Sequence, residues 1–155
     1  MAAMAPSTGS GASCRASEHT MPTDTVSIAQ FIKANHIRMT CERTDSNPNM
    51  DDSALMDHWK CTLAMGRSRM TVFFSQGYGH NGAEPELDSV LSCLASDSAS
   101  VASQDFEEWC SELGYDTDSR KAEKTYKACQ HQYARLQRFL DNHLMTQLLY
   151  HTEAL

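Results

Sequence analysis

The sequence contains no apolar run approaching the ~18 consecutive residues that a membrane-spanning helix needs, so no membrane partner is expected. Its six cysteines are widely scattered and include no CxxC pair. That pattern fits neither a disulfide scaffold nor a zinc ribbon, and it predicts a reducing compartment such as the cytoplasm. Residues 1–24 lack the basic start and apolar stretch of a signal peptide, and we interpret them as a disordered tail or an upstream start. One domain is expected over residues 25–155, because domains typically hold ~100–150 residues.

Positive charge is missing from residues 71–118, which contain ten acids and no Lys or Arg. Residues 119–140 have the opposite balance, with six Lys or Arg against one Glu, although the whole chain has a net charge of −7. Such asymmetry predicts either that one segment docks on the other or that the protein has a charged partner.

The hydrophobic pattern predicts an α+β domain in which a small antiparallel β-hairpin or sheet packs against three to four helices. Alternation predicts two strands joined by a loop over residues 64–68, with Gly66 free to adopt a positive φ. A short helix is expected to end near Asn35. Residues 39–57 are polar and have Asn47-Pro48-Asn49 at their centre, which predicts a loop. Because two strands alone are marginally stable, either the helices supply most of the burial or a third strand escapes the pattern.

Three helices are expected downstream. Apolar spacings of three and four residues predict the first over residues 86–96. The second begins with Ser103 as its N-cap and ends at Gly114. The third covers residues 119–140, with Asp116 or Asp118 as its cap. Asp141-Asn142 interrupts it, and a last helical turn or two then folds back on the core.

The helix over residues 119–140 has two chemically different sides. Its apolar positions recur every three or four residues and form a seam for packing: Ala122, Tyr126, Cys129, Tyr133, Leu136 and Leu140. Its basic positions recur in the same way on the opposite side and form what we call the basic stripe: Arg120, Lys124, Lys127, His131, Arg135 and Arg138. The stripe is expected either to be an ordinary solvated face or to dock an acidic partner, which is a protein or a phosphate backbone.

A second candidate contact surface comes from the segment without positive charge. We call it the acidic surface, and its members are Tyr78, His80, Glu84, Glu86, Asp88, Glu107, Glu108 and Glu112. Tyr78 and His80 belong to the sequence 77–82, which spells GxGxxG but lacks the βαβ unit and the ribose-binding acid of a dinucleotide site. It is expected to be a glycine-rich mobile loop that is available for contacts.

No motif assigns a catalytic residue, a metal site or a cofactor. The Asp116–Asp118 pair lacks the Gly and Glu that an EF-hand loop starting there requires, so helix capping is the better interpretation. His58 and Cys61 are three apart on a predicted strand, which places them on opposite faces. A nucleophilic Cys–His pair stays open, because such partners meet only in the fold.

Several segments of the chain resemble a family of short proteins encoded by bacteriophages, prophages and other mobile elements. The similarity extends from about Ile28 to the C-terminus, and the segments that carry it are 47–50 (NPNM), 58–60 (HWK), 74–77 (FSQG), 90–97 (VLSCLASD) and 106–123 (FEEWCSELGYDTDSRKAE). The resemblance implies a genomic setting in a bacterial host cell rather than a reaction. Small acidic phage proteins often occupy a functional surface of a host protein, as anti-CRISPR proteins do when their acids stand in for phosphates.

Together these observations predict a non-enzymatic binding protein that antagonises or modulates a host protein or ribonucleoprotein complex. The contact is made by the acidic surface, the basic stripe, or both. The alternative is a nucleic-acid-binding accessory or regulatory protein that holds phosphates with the basic stripe. An enzyme is the third possibility.

Overall fold

The computed structural model describes residues 25–48 and 56–153, and it confirms the α+β class. The elements in chain order are β1 (Val26–Ser27), α1 (Ile28–Ala34), β2 (Arg38–Thr44), β3 (Met56–Met65), β4 (Ser68–Gly77), a 3-10 turn (Tyr78–His80), α2 (Leu87–Ser103), α3 (Phe106–Leu113), α4 (Arg120–Phe139), α5 (Asn142–Tyr150) and β5 (Thr152–Glu153). The predicted tail, residues 1–24, lies outside the described residues. Across the described ranges, none of the helices combines the length and apolar character needed to cross a membrane.

The alternating pattern produces the antiparallel pair β3–β4, in which Cys61 lies opposite Val72 and Leu63 lies opposite Met70 on the core face. The expected five-residue loop over residues 64–68 is wrong, because the pairing continues to Met65 and Ser68. The turn is therefore a tight two-residue connection. Gly66 adopts a φ of 59°, and a positive φ at the first turn position matches the twist of the two strands.

The third strand is β2, so the loop expected over residues 39–57 is wrong at both ends. β2 pairs antiparallel with β3 in a three-stranded sheet of order β2-β3-β4. Only Met39 and Cys41 of β2 pack on the core, and the thiols of Cys41 and Cys61 are 3.3 Å apart across the strands. The remaining side chains of β2 are polar, which weakens the alternation that would otherwise have marked a strand.

Helix α2 is longer than the predicted residues 86–96, because it continues to Ser103. The large apolar residues of the predicted pattern stop at Leu94, and mainly Ala and Ser residues complete the helix, with Ser98 fully buried and Val101 partly buried. Asp105, rather than Ser103, caps α3 through a reciprocal capping box with Glu108. The predicted end at Gly114 is confirmed, with a φ of 80°.

Helix α4 matches the prediction closely, and its apolar seam faces inward. Ser119 caps it by accepting a hydrogen bond from the backbone N–H of Ala122, so the expectation of Asp116 or Asp118 as the cap is wrong. The predicted interruption is confirmed, because Asp141 caps the separate helix α5.

Within the part of the chain that the structure describes, two apolar clusters hold the helices. The larger lies between the core face of the sheet and helices α1, α2, α4 and α5, with Leu91 and Leu136 fully buried in it. The smaller joins α3 to the start of α4 through Trp109, Cys110 and Ala122, with aromatic neighbours around the Trp109 ring. Near the two ends of the described chain, β1 and β5 pair in parallel.

Candidate functional site

The basic stripe lies on the outer side of α4, because the seam on its other side is anchored in both clusters. Arg120, Lys124, Lys127, His131 and Arg138 are exposed. These five side chains extend over about 27 Å at 1.5 Å per residue. Lys127 pairs with Glu123 of the same helix at 3.6 Å, an exposed contact that contributes little to stability.

Arg135 differs from the rest of the basic stripe. It is half-buried, and its guanidinium donates a hydrogen bond to the backbone carbonyl oxygen of Thr71 on β4. Helical spacing groups Arg135 with the stripe, but its side chain attaches α4 to the sheet instead of being exposed with the other five.

The structure does not bring the members of the acidic surface together. Glu84 and Glu86 are exposed just before α2, and Asp88 lies in its first turn. Glu107, Glu108 and Glu112 are exposed on α3, which follows the opposite end of α2. Helix α2 has 17 residues and is therefore about 25 Å long. The carboxylates of the acidic surface form two separate groups, whereas the members of the basic stripe lie along one face of α4.

The sequence 77–82 forms a compact turn after β4. Tyr78 and His80 are exposed within a 3-10 turn, and Asn81 has a φ of 54°. The side-chain amide of Gln76 donates to the carbonyl oxygen of Ala83 at 2.9 Å and ties the far end of the turn to the sheet. Both predicted contact residues of this loop therefore face solvent at the end of β4.

A cavity of about 320 Å³ opens between β4, α2 and α4. Its walls are mainly apolar, with Val72 and Phe74 from the strand and Val90 and Leu94 from α2. Helix α4 contributes small or polar side chains at this level, including Ala128. Apart from Val90 and Leu94, none of the described lining residues from the two helices is a large apolar residue, and the described part of the chain leaves the space between them unfilled.

One carboxylate and two thiols line this cavity. Burial raises the pKa of Asp97 to about 6, although the thiol of Cys93, with its Sγ 3.8 Å from Oδ2 of Asp97, lowers it in part. Burial also raises the pKa of Cys129 to about 12, and the nearby charges of Asp97 and Cys93 add to that shift. Cys129 is therefore protonated near neutral pH, which disfavours the thiolate that a nucleophilic cysteine requires.

A hydrogen-bonded group borders the cavity at the strand side. His58 and Ser75 are paired across β3 and β4, with Nδ1 of His58 2.7 Å from Oγ of Ser75. The amide of buried Asn47 donates a hydrogen bond to the same Oγ, with its Nδ2 3.0 Å from that atom. Nε2 of His58 has no partner in the part of the chain that the structure describes, so the orienting third member of a catalytic triad is missing there.

A metal centre is not formed by the described residues. Within residues 25–48 and 56–153, no three His, Cys, Asp or Glu side chains converge in a way that could hold a metal ion. The carboxylate of Asp97 and the thiols of Cys93 and Cys129 therefore do not converge as the ligands of a metal ion would.

The sequence pattern does not reveal the cavity. Asp97 is only one of the ten acids of residues 71–118, Cys129 is a seam position, and Cys93 has no predicted role. A signal was present: Cys93 and Asp97 are four apart and therefore share one helix face, next to the predicted apolar positions Val90 and Leu94. What no pattern showed is that this face meets α4.

Comparisons with known proteins found no match: no protein family, no curated protein and no solved structure matches the chain.

Proposed function

We propose that this protein is a non-enzymatic binding protein that uses its basic stripe to dock onto a negatively charged surface of a partner protein complex. The observation that carries the proposal is the arrangement of α4. Five exposed basic or imidazole side chains lie along one face of a single helix whose other face is held in the core. The helix fixes the backbone positions of this row before binding, so the ordering that remains on binding is that of the side chains.

A protein partner is favoured over nucleic acid because of the charges around the stripe. Helix α3, with its exposed Glu107, Glu108 and Glu112, packs against α4, and the whole chain has a net charge of −7. The net negative field of the chain would slow the approach of a phosphate backbone to the stripe. A protein surface can instead match the stripe together with Glu123, which pairs with Lys127 on the same helix.

The resemblance to proteins of phages and mobile elements suggests in which cell this partner is found. In that setting the partner is a bacterial host complex for defence or nucleic-acid processing, and docking antagonises or modulates it in the manner of anti-CRISPR proteins. This part of the proposal rests on analogy with such proteins.

The test is affinity purification from a bacterial host extract with the wild-type chain and two charge-reversal variants. The first variant reverses the stripe with Arg120→Glu, Lys127→Glu and Arg138→Glu. The matched control reverses three exposed acids with Glu84→Lys, Glu107→Lys and Glu112→Lys. We expect a stoichiometric complex with the wild-type protein and the control, and none with the stripe variant.

Two results would count against this function. One such result is that the stripe variant still recovers the complex, or that only the control variant loses it. Either outcome would indicate that the acidic residues make the contact. Loss of the complex after nuclease treatment, together with salt-sensitive mobility shifts of DNA or RNA at low salt, would favour the alternative of a nucleic-acid-binding accessory protein.

A further inference from the structure

The cavity between β4, α2 and α4 contains an acid that the proposed docking through the stripe does not use. Asp97 lines the cavity from α2, and within the described residues its carboxylate contacts the thiol of Cys93 and no cation. None of the described residues that line the cavity is a Lys, Arg or His. The negative charge of Asp97 is therefore not balanced inside the cavity by this part of the chain.

A buried carboxylate without a balancing cation, such as that of Asp97, lowers the stability of the folded protein. Burial beside apolar walls disfavours its charged form and accounts for its raised pKa. An ordinary surface acid would avoid this penalty. Residues that carry such a penalty in a cleft are concentrated at functional sites, where a ligand supplies the missing interaction.

The surroundings of Asp97 define the chemistry of a ligand that fits. A carboxylate repels anions and attracts cations, and the apolar residues Val72, Phe74, Val90 and Leu94 favour a ligand with an apolar body. A bare metal ion lacks that body and would find too few ligands among the described residues. The volume of about 320 Å³ is at the lower end of the range of ligand pockets and suits a small molecule.

We propose that this cavity binds a small organic ammonium ion, with the carboxylate of Asp97 as its counter-charge and the walls from β4 and α2 around its apolar part. The site is independent of the basic stripe, so each proposal can fail without the other.

The experiment is a titration of the full chain with 2-phenylethylamine, followed by two-dimensional amide NMR, with 2-phenylethanol as the neutral probe of nearly equal shape. The wild-type protein is expected to bind the amine at millimolar concentration, with shifts at residues of α2, α4 and β4. The alcohol should bind roughly tenfold or more weakly, since its hydroxyl can donate a hydrogen bond to the carboxylate but lacks the opposite charge of the ammonium. Equal affinity for the two probes, or no binding of the amine, would overturn the proposal.

Two variants and a control locate the site. Asp97→Asn should weaken binding of the amine by roughly tenfold to hundredfold and leave the weak binding of the alcohol unchanged. Asp88→Asn removes one negative charge from the first turn of the same helix and should change amine binding by less than about twofold. Equal losses in both variants would indicate a general charge effect and refute the site.

A cavity-filling variant provides the second measurement if Asp97→Asn fails to fold. Ala128→Leu keeps the carboxylate and a helix-favouring residue, but it places a larger side chain at the α4 wall. It is expected to abolish binding of both probes. Undiminished amine binding in this variant would exclude the cavity as the site.

Discussion

Arg135 on α4 donates a hydrogen bond to the backbone carbonyl oxygen of Thr71 on β4, an edge strand of the sheet. The bond joins two elements that are far apart in the sequence and gives one member of the basic stripe a structural role. It also satisfies a carbonyl group on a strand edge, where unpaired backbone groups otherwise invite association with other chains.

Replacing Arg135 should therefore affect folding more than replacing its neighbour in the stripe. Arg135→Ala is expected to lower the free energy of unfolding by about 1–2 kcal/mol, because the bond involves a charged donor in a half-buried position. Arg138→Ala, one turn away and exposed, should stay within about 0.5 kcal/mol of the wild type. Urea denaturation measures both. Equal effects of the two variants would contradict the assigned role of Arg135.

The success of the sequence prediction for α4 and its failure for β2 have a common explanation. The seam of α4 repeats over five turns, so the periodic signal is strong and tertiary contacts act in the same direction. In β2 only Met39 and Cys41 pack inward, and the strand forms because β3 offers a free edge, which is a nonlocal cause. The predicted end of α2 is too early for a similar reason: most residues of its last turns are Ala and Ser, and their burial depends on neighbouring elements.

The candidate sites differ in the same way. The members of the basic stripe lie on one helix, so their shared face follows from spacing alone. The acidic surface was inferred from adjacency in the sequence, and the length of α2 separates its two groups. The cavity around Asp97 needs α2, α4 and β4 together, which no single segment encodes.

Asp97 should make the stability of the protein depend on pH. Its folded pKa of about 6 is above the ordinary value of 3.8, so the folded state binds more protons over that interval. The free energy of unfolding therefore falls as pH rises from about 4 to above 6. Asp97→Asn removes this loss and is expected to be more stable than the wild type by about 1–2 kcal/mol near pH 7.5, with no gain below about pH 4.

Thermal or urea unfolding at several pH values measures this difference. Asp88→Asn, which removes a carboxylate from the first turn of the same helix, is the control variant. A gain for Asp97→Asn that persists unchanged at acidic pH would show that the substitution acts through packing rather than through ionisation.

Cys129 should react slowly with iodoacetamide, because its pKa of about 12 leaves little thiolate near neutral pH. We expect alkylation of this residue, followed by mass spectrometry of peptides, to be about a hundredfold or more slower in the folded protein than in urea. Rapid labelling of folded Cys129 would reveal an activated thiol and reopen the possibility of a cysteine enzyme.

Gly114 should be intolerant of a side chain for conformational reasons alone. No atom lies within 4 Å of a Cβ placed there, but its φ of 80° is unfavourable for other residues. Gly114→Ala is expected to lower the free energy of unfolding by about 1 kcal/mol. Gly79→Ala, where the space is equally open and φ is not in the positive range, should have little effect. A harmless Gly114→Ala would contradict the left-handed conformation at the end of α3.

The parallel pairing of Val26 with Thr152 has a consequence for the order in which the chain acquires its structure. During synthesis on a ribosome, β1 is translated before the other described elements, and β5, which completes its hydrogen bonds, is translated after them. The hairpin of β3 and β4 and the helices that follow can form while synthesis continues, because their contacts are closer in sequence. β1 must wait for β5, so this two-stranded sheet closes only after residues 152–153 have left the exit tunnel.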